Sequence, residues 1–503
     1  MHGFETADPA PLTPHSGPWY KGMTRYHWFV LAVAALGWLF DCLDQQLFIL
    51  ARPAAMDELL RYITDLDQRR KQASFYGDVS TSVFIAGWAT GGLIFGMLGD
   101  RIGRAKTMLM TILIYSICTG LSALSVSVYD FAFYRFLTGL GVGGEFAVGV
   151  ALVAEVMPSH ARPQALALLQ ALSAFGNISA ALINLGLGLA EEQGLPTSPW
   201  RIMFLIGAAP ALLSVLIRRY LKEPETWQKA AAERVVTKQL GSYRELFSHP
   251  TWRKHALLGL ALASSGVIGL WAIGFYAPDL IRQVQMKPIT QAVYAEQIAA
   301  AADDPERVEQ LKTVQAAVQA KKTSGLTAEQ KTLMEELDKK IRGQLTIPQS
   351  MTAIAINVGA FFGMFGFGAL SQRIGRKKTF AIALIAALIS TATVFWFLRE
   401  NWQIYVLVPI MGFCQLSLFG GYAVYFPELF PTRLRSTGTS FCYNVGRFVA
   451  ALGPLVKIWL NDVFKGYGED SIRYAGVTMC SVFLIGLCVL PFLPETRGKP
   501  LPE

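Results

Sequence analysis

Asp41 and Asp44 stand inside the apolar run Trp28–Leu50, in the stretch GWLFDCLDQQLF (Gly37–Phe48). Three residues apart, they share one face of a helix. A charged side chain held in hydrocarbon costs about 2.5–3.5 kcal/mol on insertion scales, so its retention points to function. Two carboxyls that close do not both ionise freely away from water, which makes the pair a candidate for carrying a proton. The bland alternative is a structural pair, hydrogen-bonded to neighbouring helices. Arg135 and Glu145 lie in a later apolar run, ten residues or about 15 Å apart along a helix. They are too distant to pair with each other. Arg135 is the expected partner of an aspartate in the first run, which would link protonation to conformation, and Glu145 is a second proton-site candidate.

Arg447 sits midway along YNVGRFVAALGP (Tyr443–Pro454), and no acid occupies the middle of any apolar run in the C-terminal half of the chain. Its counter-charge is therefore either an aspartate from the first half or an anionic substrate, since guanidinium grips a carboxylate with two parallel hydrogen bonds. Tyr443, Asn444, Trp271, Tyr276, Gln415, Tyr422, Asn357 and Asn177, with Trp88, are polar or aromatic side chains that a substrate path could use. Plain helix packing is the competing reading for each.

The elements that must position these groups follow from composition. The chain has 503 residues, 52% hydrophobic and 16% charged, with a mean hydropathy of +0.37. Soluble proteins carry about 25% charge. Only helices and closed barrels satisfy their backbone in lipid, and the apolar runs are too long for barrel strands. Twelve spans are predicted, near 28–50, 78–98, 107–127, 131–157, 164–190, 201–221, 255–281, 347–371, 379–398, 402–427, 435–460 and 472–494. The fold class is all-α integral membrane, in two six-helix bundles. The division is a tail (1–27), a first bundle (28–221), a linker (222–254), a second bundle (255–494) and a tail (495–503).

Four short loops on one side (Gly99–Lys106, Pro158–Pro163, Gln372–Lys378 and Leu429–Arg435) hold ten Lys and Arg, against two in the four on the other side. Basic loops stay in the cytoplasm, so both termini are expected there, in a plasma membrane of bacterial inner-membrane type. Loop 51–77, with five basic residues, is the exception. Met1–Gly22 has no signal-peptide pattern, and the first span is expected to direct insertion. The formal charge of +9 reflects these loops rather than nucleic-acid binding. The six cysteines all fall within predicted spans, which indicates neither a disulfide framework nor a metal site. Residues 282–346 are too long for a simple connection. Two helical segments, Asp304–Lys322 and Thr327–Gly343, predict an extracytoplasmic helical hairpin that Thr327 starts and Gly343 ends.

The halves repeat each other. GMLGDRIGRAK (Gly96–Lys106) after span two matches GALSQRIGRKK (Gly368–Lys378) after span eight. AEVMPSHARPQA (Ala154–Ala165) after span four matches PELFPTRLRSTG (Pro427–Gly438) after span ten. Transporters built as paired repeats hold substrate between the repeats.

With these motifs the sequence resembles the major facilitator superfamily over nearly its whole length. The first-half loop carries that family's G-x-x-x-D-R-x-G-R-x-K signature at Gly96, Asp100, Arg101, Gly103, Arg104 and Lys106. The second half departs from it, with Gln372 in the aspartate position beside Arg373 and Arg376. Arg135–Gly144 resembles the family's span-four motif. Glu223–Trp227 and Pro494–Glu503 resemble the corresponding ends in sugar-porter-like branches, and span eleven is similar to that of organic-ion and aromatic-acid branches. The resemblance implies a conformational latch at Asp100, whose carboxylate can accept from helix N-termini and pair with a basic residue of the facing half. Glu155 before Arg162, and Glu428 before Arg433, are expected to form structural or gating ion pairs.

The resulting expectation is a secondary transporter, not an enzyme. It moves a small organic anion with a proton by alternating access, without a cofactor, as a monomer in the lipid bilayer. Rival readings are a sugar or polyol porter, a drug or organic-cation exporter, and a transporter-like receptor. Against the first, span seven lacks the Gln-Gln-x-Ser-Gly element of sugar porters. Loss of affinity on changing Arg447 separates the anion reading from the exporter, and binding without flux marks the receptor.

Overall fold

The apolar runs are helices in the computed structural model, which describes every residue except 1–16, 193–194, 213–216, 218, 234–239, 275–276, 320–325, 451–455, 457–458, 461 and 503. In the first half these are α1 (Arg25–Leu59), α2 (Leu66–Ile102), α3 (Arg104–Ser122), α4 (Val128–Val156), α5 (Arg162–Ala171), α6 (Ser173–Glu192) and α7 (Pro199–Gly207). The linker holds α8 (Glu225–Glu233) and α9 (Tyr243–Ser248). The second half has α10 (Pro250–Gly274), α11 (Ala277–Ala300), α12 (Pro305–Gln319), α13 (Ala328–Ile374), α14 (Arg376–Phe397), α15 (Asn401–Tyr425), α16 (Arg435–Ala450), α17 (Ser471–Met479) and α18 (Val482–Val489). Nine stretches among the described residues are long and apolar enough to cross a membrane. With α7, α10 and α16 they make the twelve spans of a two-bundle fold.

Local chemistry sets the boundaries. Thr24, Ser127 and Thr327 each close a capping box at the start of α1, α4 and α13, which satisfies N–H groups that a helix start leaves bare. α2 passes to α3 through Gly103 (φ +117°), and α13 passes to α14 through Gly375 (φ +94°). Both turns need a left-handed residue, which explains the glycine shared by the two repeated loops. The loop predicted at 51–77 is mostly helix. α1 runs through Pro53 to Leu59, and α2 starts at Leu66 behind the Asp65 cap.

The insertion also differs from expectation. Thr327 does cap its helix, but Gly343 does not end it: α13, 47 residues long in all, continues through Pro348 to Ile374. α11 likewise runs through Pro288. A helix interior accepts glycine at a cost of about 1 kcal/mol, and apolar burial overrides that here. Val293, Tyr294, Leu311, Val314, Leu333, Leu337 and Ile341 form a separate small core, so α11, α12 and the start of α13 are a three-helix unit rather than a hairpin. The Ser324-Gly325 break lies outside the described residues.

The most extensive contacts between the halves are those of α2 with α16 and of α5–α6 with α13, beside smaller ones of α4 with α16 and α5 with α15. These pairs exchange under the internal repeat.

Candidate functional site

α1 presents Asp41 and Asp44 inward; each is at most 1% exposed. Asp44 Oδ2 lies 3.5 Å from Arg135 Nη1 on α4, and Thr119 Oγ1 on α3 donates to Asp44 Oδ1 at 2.6 Å. Arg135 also donates from Nε and Nη2 to Ser122 Oγ, at 3.1 and 2.7 Å, and its guanidinium lies 4.7 Å from the centre of the Phe204 ring. The Asp44–Arg135 pair is thus fully partnered, and the fixed hydroxyls of α3 hold its geometry.

Asp41 is placed differently. Glu145 and Tyr115 approach it closely and Asp44 lies nearby, yet no well-formed hydrogen bond reaches either oxygen of Asp41 or of Glu145 among the described residues. A buried carboxylate without partners is costly, whereas a protonated one is much less so. Gly37 makes the approach possible: a Cβ there would sit 2.3 Å from Glu145 Oε1. The two aspartates therefore divide into an ion-paired group and a group facing a second acid.

Arg447 on α16 is 1% exposed and has no ion pair among the described residues. Its Nη1 donates to Tyr443 O at 2.7 Å and to Asn444 Oδ1 at 2.8 Å, while Nε has no partner. The guanidinium carbon lies 4.2 Å from the ring centre of Trp88 on α2 and 4.3 Å from that of Tyr443. Tyr443 in turn stacks on Phe146 of α4 at 4.1 Å, and Phe146 contacts Trp38 of α1 at 4.6 Å. The cation is held between aromatic rings of both halves, with Cys42 of α1 in electrostatic reach. Such stacking stabilises a cation by about 0.5–2 kcal/mol and leaves donors for an anion.

The remaining path candidates separate. Asn177 Nδ2 donates to Asn357 Oδ1 across the halves at 2.8 Å, and Asn444 Nδ2 donates to Gly143 O at 3.3 Å. Gln415 and Tyr422 donate to carbonyls of α10, at Gly269 (3.2 Å) and Leu262 (3.0 Å), which braces α15 against α10. Tyr276 and the Trp271 side chain lie outside the described residues. The glycines of spans two and four serve close packing, since a Cβ at Gly143 would lie 1.9 Å from Trp88 O.

At the end carrying the repeated loops, Asp100 accepts from Ser436 N (3.2 Å), Thr437 N (2.8 Å) and Thr437 Oγ1 (2.6 Å) at the start of α16. Arg104 pairs with Asp100 and Glu155, both at 2.9 Å, and Arg435 pairs with Glu155 at 3.0 Å. Gly96 allows the approach, since a Cβ there would lie 2.4 Å from Ser440 Cβ. The expected acid–base pairs are corrected here. Glu155 takes Arg104 and Arg435 rather than Arg162, which donates to Ala154 O. Glu428 takes Arg376 at 2.8 Å, and Arg433 takes Glu245 of α9 at 2.8 Å. Sequence spacing favoured near neighbours, whereas folding set the repeat-equivalent loops against helix ends. Arg101, Lys106 and Arg373 are exposed; Arg101 reaches only the linker, at Leu240 O.

The second half mirrors this with neutral groups. Gln372 accepts from Gln164 Nε2 at 2.7 Å, the repeat equivalent of Thr437. Pro163 stands where Ser436 offers an N–H, so a carboxylate at 372 would lack one of the two backbone donors that Asp100 enjoys. Glutamates after the last span of each half complete the pattern. Glu223 accepts from the N–H groups of Arg104, Ala105 and Lys106, and Glu495 accepts from those of Arg376 and Lys377. Burial pushes the Glu495 carboxyl up, but the N–H groups of Arg376, Arg497, Lys377 and Thr496 outweigh it and hold it below its usual 4.5. Sequence reasoning missed these caps, as well as Gly37, Thr119 and Ser122. The paired Pro-Glu-Thr triplets would have suggested Glu225 instead of Glu223.

Two related six-helix halves, with charged side chains buried where they meet, define a transporter. Residues 46–238 match the family described as Sugar (and other) transporter, and residues 328–503 match the Major Facilitator Superfamily. A Haemophilus influenzae protein described as a putative metabolite transport protein is 28% identical over 95% of this chain and 99% of its own. A probable 4-methylmuconolactone transporter of Cupriavidus pinatubonensis is 28% identical, over 95% and 93%. The proton:xylose symporter XylE of E. coli, solved with 6-bromo-6-deoxy-D-glucose, shares the fold (TM-score 0.65, 16% identity, 95% and 98% covered). The chain belongs to the major facilitator superfamily and is a membrane transporter.

Proposed function

We propose that the chain imports a small organic carboxylate together with a proton. The observation that carries this reading is Arg447, a buried guanidinium held by rings of both halves with no acid beside it among the described residues. A carboxylate would complete its charge with two parallel hydrogen bonds. Asn444 and Tyr443 stand beside the cation, and the aromatic rings fit a planar, conjugated body. The relative described as a methylmuconolactone transporter supports an acid of that kind over a sugar.

Asp41 and Glu145 are the proton site in this reading: two buried carboxyls lie beside each other with the Tyr115 hydroxyl as neighbour. The Asp44–Arg135 pair fixes α1 against α4 and couples the proton site to helix movement. Asp100, Arg104, Glu155 and Arg435 form the cytoplasmic latch, with the basic loops placing that end inside. Hydrogen bonds and ion pairs between the halves, among the described residues, run from this latch to the depth of Trp88 and Asn177. Twelve residues separate Asp100 from Trp88, about 18 Å of helix. The arrangement is that of a state closed toward the cytoplasm, with the binding site approached from outside.

Purified protein in liposomes with a trapped pH dye tests this against a panel of organic acids, sugars and cations, with protein-free liposomes as the leak control. Acidification of the lumen by planar carboxylates, lost in Asp41→Asn and Glu145→Gln, is the expected result. Acidification driven by sugars, or carboxylate flux without proton movement, would overturn the reading.

A further inference from the structure

The three-helix insertion and the end of the second bundle farthest from the latch border a partly open cavity of about 890 Å³. That is within the roughly 300–1,000 Å³ range of small-ligand sites. One wall is α11, where Gln283, Lys287 and Gln291 recur every four residues on one face. The facing wall is Arg399, from the turn between α14 and α15, with Asp470 and Arg473 at the start of α17. Apolar side chains, among them Leu280, Val284 and Ile472, line the space between.

Among the described residues, Arg399 and Arg473 have one carboxylate between them. Asp470 is a single carboxylate shared by two guanidinium groups. Arg473 Nε lies 3.0 Å from it, and Arg399 Nη1 lies 3.8 Å away. Arg473 is anchored, since its Nη1 donates to Phe395 O at 2.9 Å and its side chain is 10% exposed. Arg399 is not: 61% of its side chain is exposed, and a contact of 3.8 Å between exposed groups contributes little. A pocket with surplus guanidinium charge, amide donors and apolar walls has the make-up of a site for a small organic anion.

We infer that this cavity is a second carboxylate-binding site, separate from Arg447 and formed jointly by the insertion and the second bundle. Its occupant is a soluble, small organic carboxylate, gripped by Arg399 and positioned by the amides of α11. Ligand there ties α11 to the turns at Arg399 and Asp470, so the insertion docks on the bundle when carboxylate is present. The inference goes beyond the transport reading and stands independently of the role of Arg447.

The test is titration calorimetry of the full chain in nanodiscs of neutral lipid, with cis,cis-muconate and benzoate as probes. Wild type is expected to bind two equivalents, Arg399→Gln one, Arg447→Gln one, and the double variant none. Deuterium-exchange protection of 283–291 and 468–473 by muconate should persist in Arg447→Gln and vanish in Arg399→Gln. A single equivalent in wild type that disappears with Arg447→Gln alone would overturn the second site. So would occupancy that requires phosphatidylglycerol in the nanodisc, which would assign the cavity to a lipid headgroup. Two equivalents retained in Arg447→Gln would instead remove Arg447 from the transport reading and leave this site in place. Arg399 is exposed and outside both cores, so its substitution does not threaten folding.

Discussion

Replacing Asp100 with Asn should open the latch. Asp100 accepts from two backbone N–H groups and a hydroxyl of α16 and pairs with Arg104. Asn keeps one acceptor oxygen and turns an NH2 toward donors that then have no partner. Hydrogen bonds to charged groups contribute about 1.5–3 kcal/mol each. Arg104 keeps Glu155 as a partner, which limits the loss, so the latched state weakens by about 3 kcal/mol. At about 1.4 kcal/mol per factor of ten, the ratio of latched to unlatched molecules falls roughly 100-fold. Spin labels at the exposed positions 106 and 378, with the exposed Cys488 changed to Ser, report the separation of the two loops by pulsed dipolar spectroscopy. A second, longer distance should appear in Asp100→Asn. An unchanged distribution in a folded variant would refute the latch reasoning.

Three further outcomes follow from other contacts. Gly37→Ala puts a methyl 2.3 Å from Glu145 Oε1; proton-coupled uptake should fall at least tenfold while gel filtration still shows one folded species. Gln372→Asp should weaken, not strengthen, the second-half contact, because Pro163 offers no N–H; the same spin labels should show a larger unlatched fraction than wild type. Glu495→Ala removes a cap from α14 and should cost about 1 kcal/mol at pH 7, read as a lower Tm. The Glu495 carboxyl titrates below 4.5 in the folded chain, so its contribution is complete above the unfolded value and lost as pH falls through the folded one. The Tm gap between wild type and variant should therefore narrow progressively as pH is lowered below 4.5.

Much of the fold was legible because hydrocarbon imposes long apolar helices, and because the repeated loops mark equivalent ends. The buried charges were legible for the same reason: Asp41, Asp44, Glu145 and Arg447 break apolar patterns. Their partners were not. Which of two aspartates on one face meets Arg135 depends on helix rotation, and the decisive groups, Thr119, Ser122 and Gly37, are small residues unremarkable in any membrane helix. That Gln415 and Tyr422 bond carbonyls of α10 was not legible either, because residue type does not say which neighbour a side chain bonds. The continuation of α13 through Gly343 shows tertiary burial overriding a local stop signal.

The most direct test of the account is the affinity of purified Arg447→Gln and Arg447→Lys for cis,cis-muconate and for its uncharged dimethyl ester. If Arg447 holds the carboxylate, the glutamine variant should lose about 100-fold for the acid at the central site, near the 3 kcal/mol of a charge-assisted contact. Lysine should recover part of that, and the weak binding of the ester should not change. Equal affinity of wild type and Arg447→Gln for the acid would contradict the assignment of this transporter to organic carboxylates through Arg447.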